Sequence, residues 1–299
     1  MSDGVTWIEV KLTVPETDPL RLEPVDEACL SLSPGGFVME GDDAPPGDDP
    51  PPPRGWSRYR VYVGEAQLEG AKAALAAVSS PFPGAIVEHA PLDDGWRERW
   101  KAYFEPIEVS DRLLVAPPWR EIAPKPGQHV IWIEPAMAFG TGQHETTQLC
   151  LQGVDGLAAA GTLPETVLDV GTGTGVLALA AAHLGALRVV GVDTDPQAVA
   201  ASIENVGKNP VSVAWAFSDT PVGAVEGTFG LVLANIMAHV LIALVEPIAA
   251  RVAPGGVLML SGVLVEQAAD VIAAYEAHGL AHRHTEPLRG WVRIDLARP

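Results

Sequence analysis

Positive charge is what this sequence has least of. Its 299 residues hold 19 Lys and Arg against 38 Asp and Glu, a formal net charge of −19. Such a field repels phosphate backbones and attracts basic partners, which argues against direct nucleic-acid binding. Cysteine is nearly absent. Cys29 and Cys150 stand 121 positions apart, so neither a disulfide framework nor a Cys-x-x-Cys metal knuckle can be built, and both read as buried small hydrophobes. Long apolar runs are missing too: no stretch of 18 residues escapes polar or charged interruption, which excludes a membrane-spanning helix. The first residues, MSDGVTWIEVKLTVPE, lack the basic and apolar regions of a secretory signal, so a cytoplasmic enzyme is expected.

What remains is globular. Hydrophobic residues make up 47% and charged residues 19% of the chain, and its length suggests about two domains. Residues 5–14 (VTWIEVKLTV) and 57–64 (SRYRVYVG) alternate apolar and polar positions as half-buried strands do. The stretch at 41–55 combines six prolines with four aspartates, can form neither ladder nor helix, and reads as an exposed loop. Helical spacing over 65–78 and a strand over 85–89 complete a small α+β unit. Residues 1–95 carry 6 basic and 17 acidic side chains, more than half of the net negative charge, which suits either a solvated face or a dock for a basic macromolecule. Next, Trp96, Trp100, Tyr103 and Phe104 share one helical face, expected to pack between the two domains.

From about residue 163 strands alternate with helices, the mark of a doubly wound parallel sheet. Strands are expected at 166–170, 187–193, 211–217, 229–236 and 255–262, with a final pair near 280–285 and 291–296. Helices are expected at 176–185, 196–209, 238–254 and 266–279, and Thr146 and Thr147 open another.

The segment LDVGTGTGVLAL places Gly171, Gly173 and Gly175 between a strand and a helix, where glycines allow a tight turn and close approach of a ligand to main-chain N–H groups. A dinucleotide fingerprint would need Gly or Ala at 176, which is Val176, and no Gly-Lys-Ser/Thr follows to make a P-loop. The Gly-x-Gly-x-Gly spacing after Asp169 is instead that of S-adenosylmethionine (SAM) methyltransferases. Twenty-two residues beyond Gly171 the next strand ends in Asp193, whose carboxylate can accept hydrogen bonds from both ribose hydroxyls. Asp195 competes for that role but is better placed to cap the helix beginning at Pro196. Asn235 closes the fourth strand and faces the same crevice, where its amide carbonyl could hold an amine for methylation, unless it serves only to close the strand.

No metal site is expected. QHETTQ at 143–148 lacks the second His of His-Glu-x-x-His, and His278, His282 and His284 form a surface cluster without a second ligand motif.

Together AFGTGQHETT (138–147), DVGTGTG (169–175), GVDTDPQAV (191–199), LANI (233–236) and LSGVL (260–264) resemble, in order, the PrmA family, bacterial methyltransferases of large-subunit ribosomal protein L11. The resemblance runs from residue 96 onward and is weaker over 1–95. It implies a small ferredoxin-like α+β domain (1–95) that grips the protein substrate, a linker with a Trp-rich helix (96–119), and a seven-stranded Rossmann-like SAM methyltransferase domain (120–299). It implies SAM contacts at Thr147, Gly171, Asp193 and Asn235, with Gly173 in the same loop and Phe139 lining the site. Thr172 and Thr174 stand where the family more often has Cys and Ser. The implied reaction moves methyl groups from SAM to lysine side-chain and N-terminal amines of L11, with a basic ribosomal protein as partner and neither nucleic acid nor membrane. Asn235 is the expected catalytic residue, orienting the amine. The alternatives are a methyltransferase of another protein or of a small amine, and a nucleotide-dependent oxidoreductase.

Overall fold

The alternation in WIEVKLTV turns Ile8, Val10, Leu12 and Val14 of strand β1 (Trp7–Val14) into one core and leaves Glu9 and Lys11 on the opposite face. The computed structural model describes residues 7–32, 37–41, 50–92, 105–134, 142 and 144–299, and the chain divides into two units, Met1–Tyr103 and Phe104–Pro299. The Trp-rich helix face at 96–104, Phe139 and most of the Asp/Pro loop lie outside the described residues.

In the first unit, helix α1 (Pro19–Leu32) starts where Asp18 Oδ1 accepts from Leu20 N at 3.1 Å and proline occupies the first helical position. Strands β2 (Val38–Glu40) and β3 (Ser57–Gly64), helix α2 (Leu68–Ser79) and strand β4 (Ile86–Pro91) follow. The sheet runs β2-β3-β1-β4, a βαββαβ ferredoxin-like arrangement whose helices cover the face carrying Val10, Leu12 and Tyr59, with Leu75 of α2 packed in the same core. The other face is polar. Arg60 joins Glu9 at 2.9 Å and Glu40 at 3.0 Å, pairing three strands side by side. Periodicity does not mark the three-residue strand β2, because it is too short to show alternation.

The second unit opens with a three-stranded sheet, β5 (Ile107–Glu108), β6 (Leu113–Ala116) and β7 (His129–Trp132), in which β6 and β7 are parallel. Helix α3 (Glu145–Ala159) then leads to β8 (Thr166–Val170), α4 (Val176–His183), β9 (Arg188–Val192), α5 (Pro196–Lys208), β10 (Ala214–Ser218) and β11 (Phe229–Asn235). Helices α6 (Ala238–Ala243) and α7 (Val245–Ala249), strand β12 (Val252–Leu264), helix α8 (Ala268–Glu276) and strands β13 (Ala281–Leu288) and β14 (Trp291–Ala297) complete it. The large sheet has the order β10-β9-β8-β11-β12-β14-β13, with β14 antiparallel to both neighbours.

One expected helix is broken. The span 238–254 is two short helices meeting at Leu244, and the chain is already in strand by Val252, paired with Phe229. Pro247 explains the break, since its ring collides with the carbonyl four residues back, at Ala243. Helix α4 is buried on every side from Val176 to Ala182 because β8, β9, α3 and β7 surround it. Among the described residues no helix is long and apolar enough to cross a membrane, and no group of three His, Cys, Asp or Glu could hold a metal ion. His282 and His284 are exposed on β13, hydrogen-bonded to Thr285 and Glu286.

Candidate active site

Gly171, Gly173 and Gly175 follow β8 with φ of +71°, +53° and +81°, backbone that side chains rarely adopt. Gly171 N and Thr172 N both donate to Val192 O, at 2.8 and 3.1 Å, so the turn is tied to the end of β9. A Cβ on Gly171 would lie 2.4 Å from Ile236 Cγ2, so the residue after β11 also presses on the turn. Gly175, in left-handed conformation, starts α4.

Asp193 comes directly after β9. Its Oδ2 accepts from Gly173 N at 2.9 Å and its Oδ1 from Asp195 N at 3.0 Å, which fixes the carboxylate against the glycine turn and leaves further lone pairs on both oxygens. Asp195 caps α5 through Oδ1, which accepts from Gln197 N at 2.8 Å, with Pro196 in the first turn. Its near oxygen is therefore committed to the helix.

Thr147 and Asn235 meet although helix and strand are remote in sequence. Asn235 Nδ2 donates to Thr147 Oγ1 at 3.3 Å, while Asn235 Oδ1 is buried with no hydrogen-bond partner among the described residues. A buried amide oxygen without a donor is costly unless a bound group supplies one. The first turn of α3, which carries Thr147, is held by neighbours on β14 and the turn before it. His144 caps the helix, its Nδ1 accepting from Thr146 N at 3.3 Å, and its ring meets Trp291 edge-on at 5.0 Å. Burial pushes the His144 pKa down, which keeps the imidazole neutral and able to accept. Arg289 pairs with Glu145 at 3.2 Å, and Arg293 Nη1 donates to Leu149 O at 3.0 Å while its guanidinium grips Asp295.

A second layer of buried polar groups lies behind these, and periodicity gave no sign of it. Thr172 Oγ1 donates to Asp169 Oδ2 at 2.7 Å. Burial raises the Asp169 carboxyl to about 7, opposed by that hydrogen bond and by the Ala178 N–H and reinforced by the Asp193 charge. Asn205 Nδ2 donates to Thr174 O at 3.0 Å and its Oδ1 accepts from Glu134 N at 3.0 Å, so α5 joins the glycine turn to the chain leaving β7. Asn209, one turn on, accepts from Trp132 N at 2.9 Å and donates to Trp132 O at 2.7 Å. The sequence signal was a pair of asparagines spaced i, i+4, one in the last turns of α5 and one capping its C-terminus.

Of the residues expected to bind a cofactor, Gly171, Gly173 and Asp193 form one hydrogen-bonded turn and Thr147 pairs with Asn235. Strands β9, β8 and β11 are adjacent, so all lie at the carboxyl end of the sheet, where ligands of open α/β sheets sit. Phe139 lies outside the described residues. The donor set suits S-adenosylmethionine: a carboxylate with spare acceptor capacity for ribose hydroxyls, an orphaned amide oxygen, and no Lys or Arg between Gly171 and Gly185 to meet a phosphate.

Comparison with known proteins agrees. The family described as "Ribosomal protein L11 methyltransferase (PrmA)" matches residues 69–299. Proteins named ribosomal protein L11 methyltransferase include one from Citrifermentans bemidjiense, 43% identical over 234 residues and 75% of each chain. Another, from Geobacter metallireducens, is 36% identical over 306 residues and 96% of each chain. The crystal structure of ribosomal protein L11 methylase from Lactobacillus delbrueckii subsp. bulgaricus superposes with a TM-score of 0.59 at 30% identity, covering 66% of this chain and 98% of that one. By sequence and by fold, this chain belongs to the ribosomal protein L11 methyltransferase family.

Proposed function

We propose that this protein transfers methyl groups from S-adenosylmethionine to lysine side-chain and N-terminal amines of ribosomal protein L11, in the cytoplasm. The observation that carries the reading is the buried Oδ1 of Asn235, unpartnered among the described residues, at the end of the strand whose next residue, Ile236, presses on the glycine turn. Bound SAM supplies a methyl group already activated by its sulfonium. Asp193 holds the ribose hydroxyls, and Gly171 and Gly173 let the backbone approach the cofactor closely. Asn235 Oδ1 accepts an N–H from the incoming amine. Because Asn235 Nδ2 is engaged by Thr147, the amide plane is fixed, and with it the direction of the amine's lone pair; this is catalysis by orientation. An ammonium has no lone pair, so the amine gives up a proton to solvent before it reacts.

The domain roles follow the charge. Residues 1–95, with 17 acidic and 6 basic side chains, dock the basic substrate, and the second unit performs the chemistry. The same field disfavours nucleic acid, and no membrane contact is needed.

The test is to incubate the full chain with labelled SAM and unmodified L11 and to map the label by peptide mass spectrometry. Label on lysine and N-terminal amines is the expected result. Label elsewhere, or none on L11 while another protein of the same cell is modified, rejects the substrate assignment.

A further inference from the structure

Away from the glycine turn, on the flank of the large sheet, α3 and strands β12, β14 and β13 border a half-open hollow of about 330 Å³. Its floor is apolar, formed by Leu157, Met259 and Leu296, and Gly156 stands on its helical wall. Two arginines and a histidine line it. Arg293 is neutralised by Asp295, at 3.0 Å, and His284 is hydrogen-bonded to Glu286 at 2.9 Å. Arg283, at a β-bulge of strand β13, has no hydrogen bond or ion pair among the described residues.

Gly156 adds an independent observation. A glycine inside a helix destabilises it relative to alanine. Its neighbour Gly153 has a packing reason, since a Cβ there would lie 2.6 Å from Met259 Cε and 3.0 Å from Arg293 Cδ. Gly156 has none: a Cβ would meet nothing within 4 Å. Gly156 is exposed, and the space beside it is the open side of the hollow.

From the apolar floor, the uncompensated guanidinium and the unfilled wall we infer that this hollow is a second binding site, for a small amphipathic monoanion such as a short aliphatic or aromatic carboxylate. The carboxylate pairs with Arg283 in the fork geometry that guanidinium favours, and the hydrocarbon part displaces water from Met259 and Leu296. A free phosphate fits poorly, because it would set its hydrated oxygens against hydrocarbon.

The inference is tested by calorimetric titration of the full-length protein with benzoate, phenylacetate and hexanoate, and with benzamide and inorganic phosphate as controls. At least one carboxylate should bind with a Kd below about 1 mM, and benzamide and phosphate at least about tenfold more weakly. Arg283→Gln should erase the preference for benzoate over benzamide. Gly156→Leu should abolish carboxylate binding while keeping cooperative thermal unfolding, and if that variant does not fold, Gly156→Ala should bind more weakly than the parent. The site is refuted if no carboxylate binds in that range, if benzamide binds as well as benzoate, or if binding is indifferent to both positions.

Discussion

Asn235 Nδ2 donates to Thr147 Oγ1 across 88 residues of sequence, and that one hydrogen bond decides which way the Asn235 carbonyl points. With its nitrogen so engaged, the amide has its oxygen left to meet a donor. Asn235→Ala should therefore reduce kcat more than it weakens SAM binding, with a loss of about 2–4 kcal/mol in transition-state stabilisation, the range for removing one positioned polar group. Thr147→Val should act in the same direction but less, and the double variant should be no worse than Asn235→Ala alone. Steady-state kinetics beside calorimetric SAM titration distinguishes the cases: equal losses in both make Asn235 a cofactor ligand only.

Asp193 and Asp195 should separate cleanly. Asp193→Ala should lower SAM affinity by about 1.5–3 kcal/mol, as expected when hydrogen bonds to a charged acceptor are lost. Asp195→Ala should leave SAM affinity nearly unchanged and cost about 1 kcal/mol of stability, the usual value of a helix cap. Calorimetry for the first and urea unfolding for the second provide the comparison, and the reverse pattern would reassign the ribose carboxylate.

Gly171→Ala should be destabilising for two reasons. Left-handed backbone costs a residue with a Cβ about 1–2 kcal/mol, and that Cβ would also press on Ile236. Shortening the opposing side chain in the double variant Gly171→Ala/Ile236→Ala should recover the steric part but not the backbone part. A double-mutant cycle by denaturant unfolding measures the coupling, and a cycle that closes at zero would show that the contact is relieved without cost.

Asp169 makes stability depend on pH. In the unfolded chain its carboxyl ionises near the ordinary 3.8, whereas in the folded protein it keeps its proton to about 7. Between those values the unfolded state releases a proton that the folded state retains, so this group's contribution to stability is full below 3.8 and is lost as pH rises toward 7. Asp169→Asn, which can still pair with Thr172, should raise the melting temperature more at pH 8 than at pH 4. An equal change at both would show that the carboxyl is ionised in the folded protein at both.

How much of this was legible depends on whether the signal was local. The strand at 166–170, the glycine turn, Asp193 at a strand end and the Asp195–Pro196 cap are written in consecutive residues, because turn geometry, capping and strand periodicity act over a few positions. The broken helix at Leu244 was also local, and Pro247 is its visible cause. Strands β2, β5, β6 and β7 were not legible, since strands of two to four residues show no period and exist only through their partners. The amino-acid order thus determined the doubly wound sheet and the residues at its carboxyl edge. Tertiary structure alone decided that Asn235 has no donor on its oxygen among the described residues, that Asn205 ties Thr174 to Glu134, and that Asp169 is buried deeply enough to hold a proton near neutrality. The physical reason is the same in each case: side-chain hydrogen bonds and desolvation depend on which distant elements the fold brings within about 3 Å, and no local pattern encodes that distance.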